Sequence, residues 1–131
     1  MIAIEIYNPE LYPVLKEWWK GHGWDPVPEC VFPKLGVVAR VNGNPTAAAW
    51  LYMDNSVGVS MMEWVVSDPF AAPRHVAVAI CSIVRFLKAE AKSLDYGVML
   101  ATCKQESLSR LFVREGFQAT DRSMIHHVAL T

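Results

Sequence analysis

The stretch from residue 61 to residue 93 constrains the fold most, because it joins the pattern of a buried strand to that of a long helix. Residues 61–66 (MMEWVV) are apolar except for Glu63, which is typical of a strand inside a sheet. The segment Ser67–Pro69 ends that strand, since proline cannot donate a hydrogen bond to a ladder. Pro73 suits the first turn of a helix, where its missing N–H costs nothing.

After Pro73 the apolar residues recur every three or four positions, as on one face of an α-helix. The apolar positions are Val76, Ala79, Ile80, Ile83, Val84, Leu87 and Ala91, and the other face carries Arg85, Lys88, Glu90 and Lys92. A helix start leaves unpaired N–H groups at the positive end of the helix dipole. The strand, loop and helix therefore predict an anion-binding arrangement, with residues 74–79 in the first turns.

Two motifs resemble signatures of one protein family. Asp68-Pro69 followed by the segment Arg74–Ala79 is similar to the pyrophosphate loop of the GNAT superfamily of N-acetyltransferases, Arg/Gln-x-x-Gly-x-Gly/Ala. Ala77 and Ala79 stand at its two small positions. Residues 108–117 (LSRLFVREGF) resemble the family's late Leu-Tyr-x-x-x-Gly-Phe signature. The two motifs lie in the order expected for the family, and together with the strand pattern the resemblance covers nearly the whole chain. Within the family, the chain resembles small acetyltransferase-like proteins of bacteriophages.

The remaining pattern predicts a single α+β domain spanning residues 1–131. Predicted strands are 2–7, 36–41, 46–53, 57–66 and 96–103, with helices at 9–20, 73–93 and 105–115 and a final hairpin of 117–119 with 124–130. Asn42-Gly43-Asn44 is a strong hairpin signal, and residues 24–34, with three prolines, read as irregular. The resemblance implies a mixed, mostly antiparallel central sheet flanked by helices in three α/β/α layers.

Composition limits the function classes. The net charge of −1 offers no basic stripe for a nucleic acid, and no apolar run reaches the ~20 residues of a membrane span. The three cysteines are scattered without a CxxC pair, so we expect reduced thiols and no metal site. The start of the chain has no signal-peptide pattern. We expect a cytoplasmic protein, in the host cytoplasm if phage-encoded, and the five tryptophans make a homodimer an option.

The resemblance implies acetyl-CoA as the co-substrate and an amine as the acceptor. Backbone groups of the fourth strand, at Val65, Val66 and Ser67, would hold the pantetheine arm and the thioester. The N–H groups of Arg74, His75, Val76, Ala77, Val78 and Ala79 would hold the pyrophosphate. The Arg74 side chain could pair with a phosphate, or be a surface residue at a helix start.

Three further positions bear on catalysis. Glu63 is the candidate general base, because burial in an apolar strand would raise its pKa; the alternative is an acid on an exposed strand face. Phe112 stands where the family often has a tyrosine that protonates the departing thiolate, and a phenyl ring cannot donate a proton. Glu106 stands where the motif often has asparagine. Both departures count against catalysis.

The other aromatic and nucleophilic residues leave alternatives open. Trp19 and Trp24 could form an aromatic wall for the acceptor, or fill the core together with Trp18. Cys103 could be a nucleophile only if a base such as His126 lay nearby, and a buried structural thiol fits it better.

The remaining histidines complete the set of candidates. His22, between two glycines, is predicted to be solvated. His126 and His127 would face opposite sides of an alternating strand, which makes them a poor metal pair.

The favoured interpretation is an acetyl-CoA-dependent N-acyltransferase that transfers an acetyl group directly to an amine. The alternative is a catalytically inactive GNAT-like module that binds a protein or a ligand. A third possibility is an unrelated α+β domain without a cofactor. The sequence does not distinguish a small amine from a peptide N-terminus or a lysine side chain as acceptor.

Overall fold

The computed structural model describes residues 1–131 and contains one five-stranded sheet with helices on both faces. The strands are β1 (Ile2–Ile6), β2 (Leu35–Val41), β3 (Asn44–Met53), β4 (Val59–Ser67) and β5 (Val98–Ala101), and the helices are α1 (Tyr12–Gly21), α2 (Pro73–Ser93) and α3 (Glu106–Arg114). The strands lie in chain order, antiparallel from β1 to β4, with β5 parallel to β4. This confirms the predicted mixed, mostly antiparallel sheet. No helix is both long and apolar enough to cross a membrane.

Local signals set the ends of several elements as expected. Asn42 and Gly43 have φ angles of 51° and 84°, the left-handed pair of a tight hairpin turn between β2 and β3. Asn8 caps a short 3-10 turn by accepting from the Glu10 N–H at 2.9 Å, and α1 follows directly. Gly116, with φ of 97°, ends α3 as predicted.

The two faces of the sheet carry different side chains. The face under α2 and α3, here called the aliphatic face, is built from small and branched residues. Its buried members are Val37, Ala39, Val41, Ala47, Ala49, Leu51, Met62, Ala79, Ile80, Ile83, Val84, Leu87, Ala91 and Phe112. The face under α1 and residues 24–34, here called the aromatic face, is dominated by rings. Its main members are Leu15, Trp18, Trp19, Val38, Ala48, Trp50 and Val66, with Tyr7, Tyr12, Trp24, Phe32 and Trp64 against them.

A β-bulge interrupts β4 in its second half. Glu63 pairs with Trp50 and Val66 pairs with Ala48, so one residue of β3 opposes two residues of β4. The bulge includes Trp64, whose φ of 61° lies in the left-handed region that non-glycine residues rarely adopt. The pairing of β4 with β5 ends just before the bulge, at Met62 and Ala101. The two parallel strands therefore part where the bulge begins.

Two predictions about the C-terminal half are wrong. The strand expected at residues 96–103 is shorter and half exposed, because β5 is an edge strand with Val98 and Leu100 each 51 % exposed. The hairpin expected from 117–119 and 124–130 does not form, and residues 117–131 contain no regular element. Its first arm would offer only three residues for pairing, too few to offset the entropy of ordering the longer turn.

Candidate active site

A cleft of about 360 Å³ opens between the second half of β4 and the starts of α2 and α3. It exists because β4 and β5 diverge beyond Met62 and Ala101, which leaves a gap that no strand fills. Its walls come from β4 (Val65, Val66, Ser67), from α2 (Pro73, Val76, Ala77, Ile80) and from α3 (Ser107, Leu108, Leu111), and Asp68, Pro69, Ala71, Gln105, His22 and Trp24 complete the lining. The three β4 residues predicted to hold a thioester thus lie together on one wall.

Residues 74–79 occupy the first turns of α2, as predicted. The helix begins at Pro73, so all of Arg74–Ala79 is helical. The N–H groups of His75 and Val76 donate to the Ala72 carbonyl at 2.9 and 3.1 Å. Among Arg74–Ala79 only the Arg74 N–H remains without a backbone partner. Ala77 stands where the family pattern has glycine, and alanine favours this continuous helical start.

The side chains of this segment point in different directions. Ala77 and Val76 line the cleft, whereas Ala79 is fully buried in the aliphatic core. Arg74 is exposed beside the cleft, and Val78, 49 % exposed, points away from it. Of the two alanines at the small positions of the motif, only Ala77 therefore places its methyl group where a ligand would lie.

His75 belongs to a separate depression. It lines a space of about 410 Å³ between α1, the β2–β3 hairpin and the start of α2, together with Asn44 and Thr46. The His75 side chain therefore points away from the cleft that Ala77 lines, whereas the prediction for His75 concerns its backbone N–H group.

The bulge decides which face Glu63 and its neighbour occupy. Glu63 pairs with Trp50 of the aromatic face, and the indole of Trp64 packs against the same cluster. Met62 and Val65 contact the aliphatic core instead. A regular strand would have sent Glu63 and Trp64 to opposite faces. The extra residue of the bulge places the acid and the indole side by side.

Glu63 lies at the point where β4 and β5 separate. It is half-buried, and the Thr102 hydroxyl, directly after β5, donates to its two carboxylate oxygens at 3.0 and 3.2 Å. Burial raises the pKa of Glu63, and the Thr102 hydrogen bond and the charge of His126 partly oppose that rise. An acid with a raised pKa at a strand divergence has the properties of a general base.

Trp64 is fixed by a short chain of hydrogen bonds. Its Nε1 donates to the Tyr52 hydroxyl at 2.8 Å, and that hydroxyl donates in turn to the Val31 carbonyl. The His126 ring stacks on the indole with centroids 5.9 Å apart and planes at 29°. Sequence reasoning missed Trp64, Tyr52 and Thr102, because a strand pattern does not reveal a bulge. The only signal was a tryptophan next to the single acid of the strand.

The tryptophans predicted for the acceptor wall have different environments. Trp24 is half-buried and lines the cleft. Trp19 is only 3 % exposed and stacks on Phe32 and Trp50, so its role is in the core and the substrate-wall prediction is wrong for it. His22 was expected to be solvated, but it lines the cleft. Its Nε2 donates to the Ser67 carbonyl at 2.8 Å, and its ring stacks on Trp24 at 4.6 Å.

The late helix offers no proton donor at the predicted position. Phe112 is 5 % exposed and packs on Phe117 in the aliphatic core, whereas Leu108 and Leu111 face the cleft. Glu106 pairs with Arg122 at 3.4 Å on the surface. Cys103 is exposed, so the expectation of a buried thiol is wrong. Partial desolvation, reinforced by the negative charge of Glu106, raises the pKa of its thiol, which argues against a thiolate nucleophile.

No protein-family model and no curated protein matches the sequence. Solved structures do match. An acetyltransferase of Trypanosoma brucei is 15% identical with a TM-score of 0.67, and the match covers 98% of this chain and 100% of that one. The ribosomal-protein-S18-alanine N-acetyltransferase of Escherichia coli is 14% identical with a TM-score of 0.71, over 92% of this chain and 80% of that one.

A predicted acetyltransferase from Clostridium acetobutylicum, solved with acetyl-CoA, is 13% identical with a TM-score of 0.63 and covers 97% of this chain and 96% of its own. At such identities the likeness concerns the arrangement of strands and helices. The five-stranded mixed sheet of this chain with its flanking helices has the GNAT acetyltransferase fold.

Proposed function

We propose that the protein is an N-acetyltransferase that transfers an acetyl group from acetyl-CoA to an amine. The observation that carries this proposal is the bulge of β4. It opens a cleft toward α2 and α3, and it turns Glu63 and Trp64 toward the aromatic face. A co-substrate and an acceptor could thus approach the parted strands from two sides.

The residues present fit the pantetheine end of acetyl-CoA, which would supply an activated thioester. The cleft walls combine apolar side chains such as Ile80 and Leu111 with strand backbone at Val65–Ser67, which suits a chain of amides and methylenes. The phosphates would meet the unpaired Arg74 N–H and the Arg74 guanidinium at the positive end of α2. This is a smaller set of phosphate donors than the sequence motif implied.

Glu63 would accept the proton that the attacking amine must lose. In the transfer, a C–N bond forms and the C–S bond breaks, and the amine proton passes to Glu63 directly or through water. The thiolate then takes a proton from solvent, since Phe112 offers none. A thiolate with a pKa near that of cysteine, about 8.5, is a tolerable leaving group without an acid.

A second candidate function is that of a catalytically inactive GNAT-like binding module. Two observations favour it. Phe112, at the position where the family often has a tyrosine, is buried and has no hydroxyl to donate a proton, and the start of α2 leaves few free N–H groups to bind a pyrophosphate. The raised pKa of Glu63 and its position at the strand divergence favour the enzyme instead.

Isothermal titration with acetyl-CoA tests the proposal. We expect binding that is abolished by Ala77→Leu, because the larger side chain would fill the cleft. Val78→Leu is the matched control, since it changes the next helical position, which does not line the cleft. Arg74→Glu should weaken binding by replacing a favourable charge at the phosphate end with a repulsive one.

Absence of binding at millimolar acetyl-CoA would contradict the acetyltransferase proposal and leave the binding module. Equal loss of affinity in Ala77→Leu and Val78→Leu would place the co-substrate outside the cleft. With binding established, acetylation of an amine panel followed by mass spectrometry would test transfer itself.

A further inference from the structure

The aromatic side of the β4 bulge is already occupied by a residue of the same chain. The irregular C-terminal segment, residues 118–131, places the His126 ring on the indole of Trp64. His126 is also the one charged group whose field acts on the Glu63 carboxylate. A planar ring that can carry one positive charge thus lies beside the candidate base.

The surface beneath His126 has fixed geometry. The backbone of Trp64 lies in the left-handed region that non-glycine residues rarely adopt, and its indole is held by the hydrogen bonds through Tyr52 to Val31. Thr102 fixes the carboxylate of Glu63 through both oxygens. A rigid indole next to an oriented carboxylate complements a flat ring joined to an ammonium group.

No hydrogen bond fixes the His126 ring in its position on Trp64, in contrast to the bonds that fix Trp64 and Glu63. It lies in a segment without helix or strand, and its neighbours Ile125 and Val128 are 78 % and 85 % exposed. Neither ring nitrogen takes part in a hydrogen bond within the chain. A ligand with the same shape and charge could therefore displace His126 at little cost.

We propose that Trp64 and Glu63 form the acceptor seat and that the acceptor is a primary amine with an aromatic ring a short chain away from its nitrogen. The acceptor ring displaces His126 from the indole, and the ammonium lies at Glu63. This inference rests on the proposed acetyl transfer for its chemistry. Binding of the ring to the seat does not depend on transfer.

The first measurement is binding without the co-substrate. The indole N–H signal of Trp64, assigned as the signal missing from Trp64→Phe, is followed by ¹⁵N NMR during titration with 2-phenylethylamine. We expect a saturable shift, and a weaker response to 2-cyclohexylethylamine, which has the same carbon count but no aromatic ring. His126→Ala should tighten phenylethylamine binding about two- to tenfold, because the ligand no longer competes with a stacked ring. His127→Ala, which has no ring contact, should change nothing.

The second measurement is turnover with acetyl-CoA. His126→Ala should lower KM for 2-phenylethylamine while leaving kcat/KM for ethylamine, which has no ring to displace His126, nearly unchanged. An equal effect on both amines, or a loss of kcat with every amine, would overturn the inference. Failure of transfer with an intact NMR response would overturn the proposed function alone, and transfer without any response at Trp64 would overturn the inference alone.

Discussion

The two faces of the sheet are both covered by helices or loops, but they bury different kinds of side chain. The aliphatic face buries alanine, valine, isoleucine and leucine against α2 and leaves no buried side-chain polar atom unpaired. The aromatic face buries rings and leaves two such atoms, the Tyr7 hydroxyl and the Trp50 Nε1, without partners. The difference shows that large rings with polar atoms are harder to bury completely than aliphatic side chains, which carry no polar atom that needs a partner.

The rings of the aromatic face form a stiff support behind the candidate site. Phe32 stacks on Trp50 with centroids 4.0 Å apart, and Tyr7 meets Trp50 edge-on at 5.1 Å. Burial, reinforced by the charge of Glu29, raises the pKa of Tyr7 to about 12, so this hydroxyl stays neutral in ordinary solution. The support therefore adds shape and rigidity beneath Glu63 and Trp64 without adding charge.

The largest expected effect separates function from stability on the aromatic face. Glu63→Gln should lower kcat for acetyl transfer by about 10²–10⁴-fold, because the amide cannot accept the proton of the amine. The melting temperature should stay the same or rise, because burial disfavours the ionised carboxylate that glutamine replaces. Steady-state kinetics and thermal unfolding of the same preparation check both halves. A fall in melting temperature with normal kcat would assign Glu63 to structure.

The pH dependence of the wild type follows from the same residue. Because the pKa of Glu63 lies above its ordinary 4.5, kcat/KM should decline as the pH falls through that raised value, and Glu63→Gln should lack this limb. For stability the sign is opposite. A carboxyl with a raised folded-state pKa contributes stability that is full below the unfolded value and is lost as pH rises through the folded value. Identical pH profiles for the wild type and Glu63→Gln would contradict this assignment.

A truncation on the aliphatic face should affect stability only. Leu87→Ala removes a fully buried side chain of α2 and should lower the free energy of unfolding by about 2–5 kcal/mol. Well below its melting temperature the variant should keep the kcat/KM of the wild type, since Leu87 does not line the cleft. Denaturant unfolding measures the loss, with Leu94→Ala, 52 % exposed at the end of the same helix, as the control. A comparable loss in Leu94→Ala would contradict the packing argument.

A single added methyl group tests the tightness of the aromatic face. A Cβ at Gly36 would lie 2.3 Å from the Trp50 Nε1, so Gly36→Ala must displace the stacked indole. We expect a loss of about 1–3 kcal/mol in the free energy of unfolding and altered near-ultraviolet circular dichroism from the ring cluster. Gly97→Ala is the matched control, because nothing lies within 4 Å of the position that its methyl group would take. Tolerance of Gly36→Ala would mean that the ring cluster is loosely packed.

The smallest effect concerns an ion pair on the outer side of the aliphatic layer. Arg85 of α2 donates two hydrogen bonds to Glu115, at 2.7 and 2.9 Å, and these bonds hold the pKa of Glu115 below its usual value. Arg85→Ala should lower the melting temperature slightly, and less so in high salt. The stability that Glu115 adds is present above its unfolded pKa and is lost as pH falls through its lowered folded pKa. Arg110→Ala, without an ion-pair partner on α3, should leave the melting temperature unchanged.

The elements with strong local signals could be predicted from the sequence. The apolar period of α2 and the Asn42-Gly43 turn are local patterns, and both appear where expected. The resemblance indicated Val65–Ser67 as site residues, and these residues line the cleft.

The features missed by sequence reasoning depend on distant contacts. The bulge at Trp64 is set by pairing with β3, by the Tyr52 hydroxyl and by the aromatic cluster, none of which is local in the sequence. The pattern at residues 96–103 gave no sign that β5 would lie at an open edge. The position of His126 on Trp64 joins a residue near the middle of the chain to one near its end, beyond the reach of any periodicity.

The parting of β4 and β5 has a consequence for the dynamics of the sheet. Only four residue pairs join β5 to the rest of the sheet, and its other edge is free. Separating β5 from β4 should cost less free energy than separating the antiparallel strands beside them. The amide protons of β5 should therefore exchange with solvent earlier than those of β2 and β3. A molecule that bridges the gap would tie β5 to β4 as an additional strand would. Slower amide exchange in β5 would then report occupancy of the cleft, even for ligands that are never turned over.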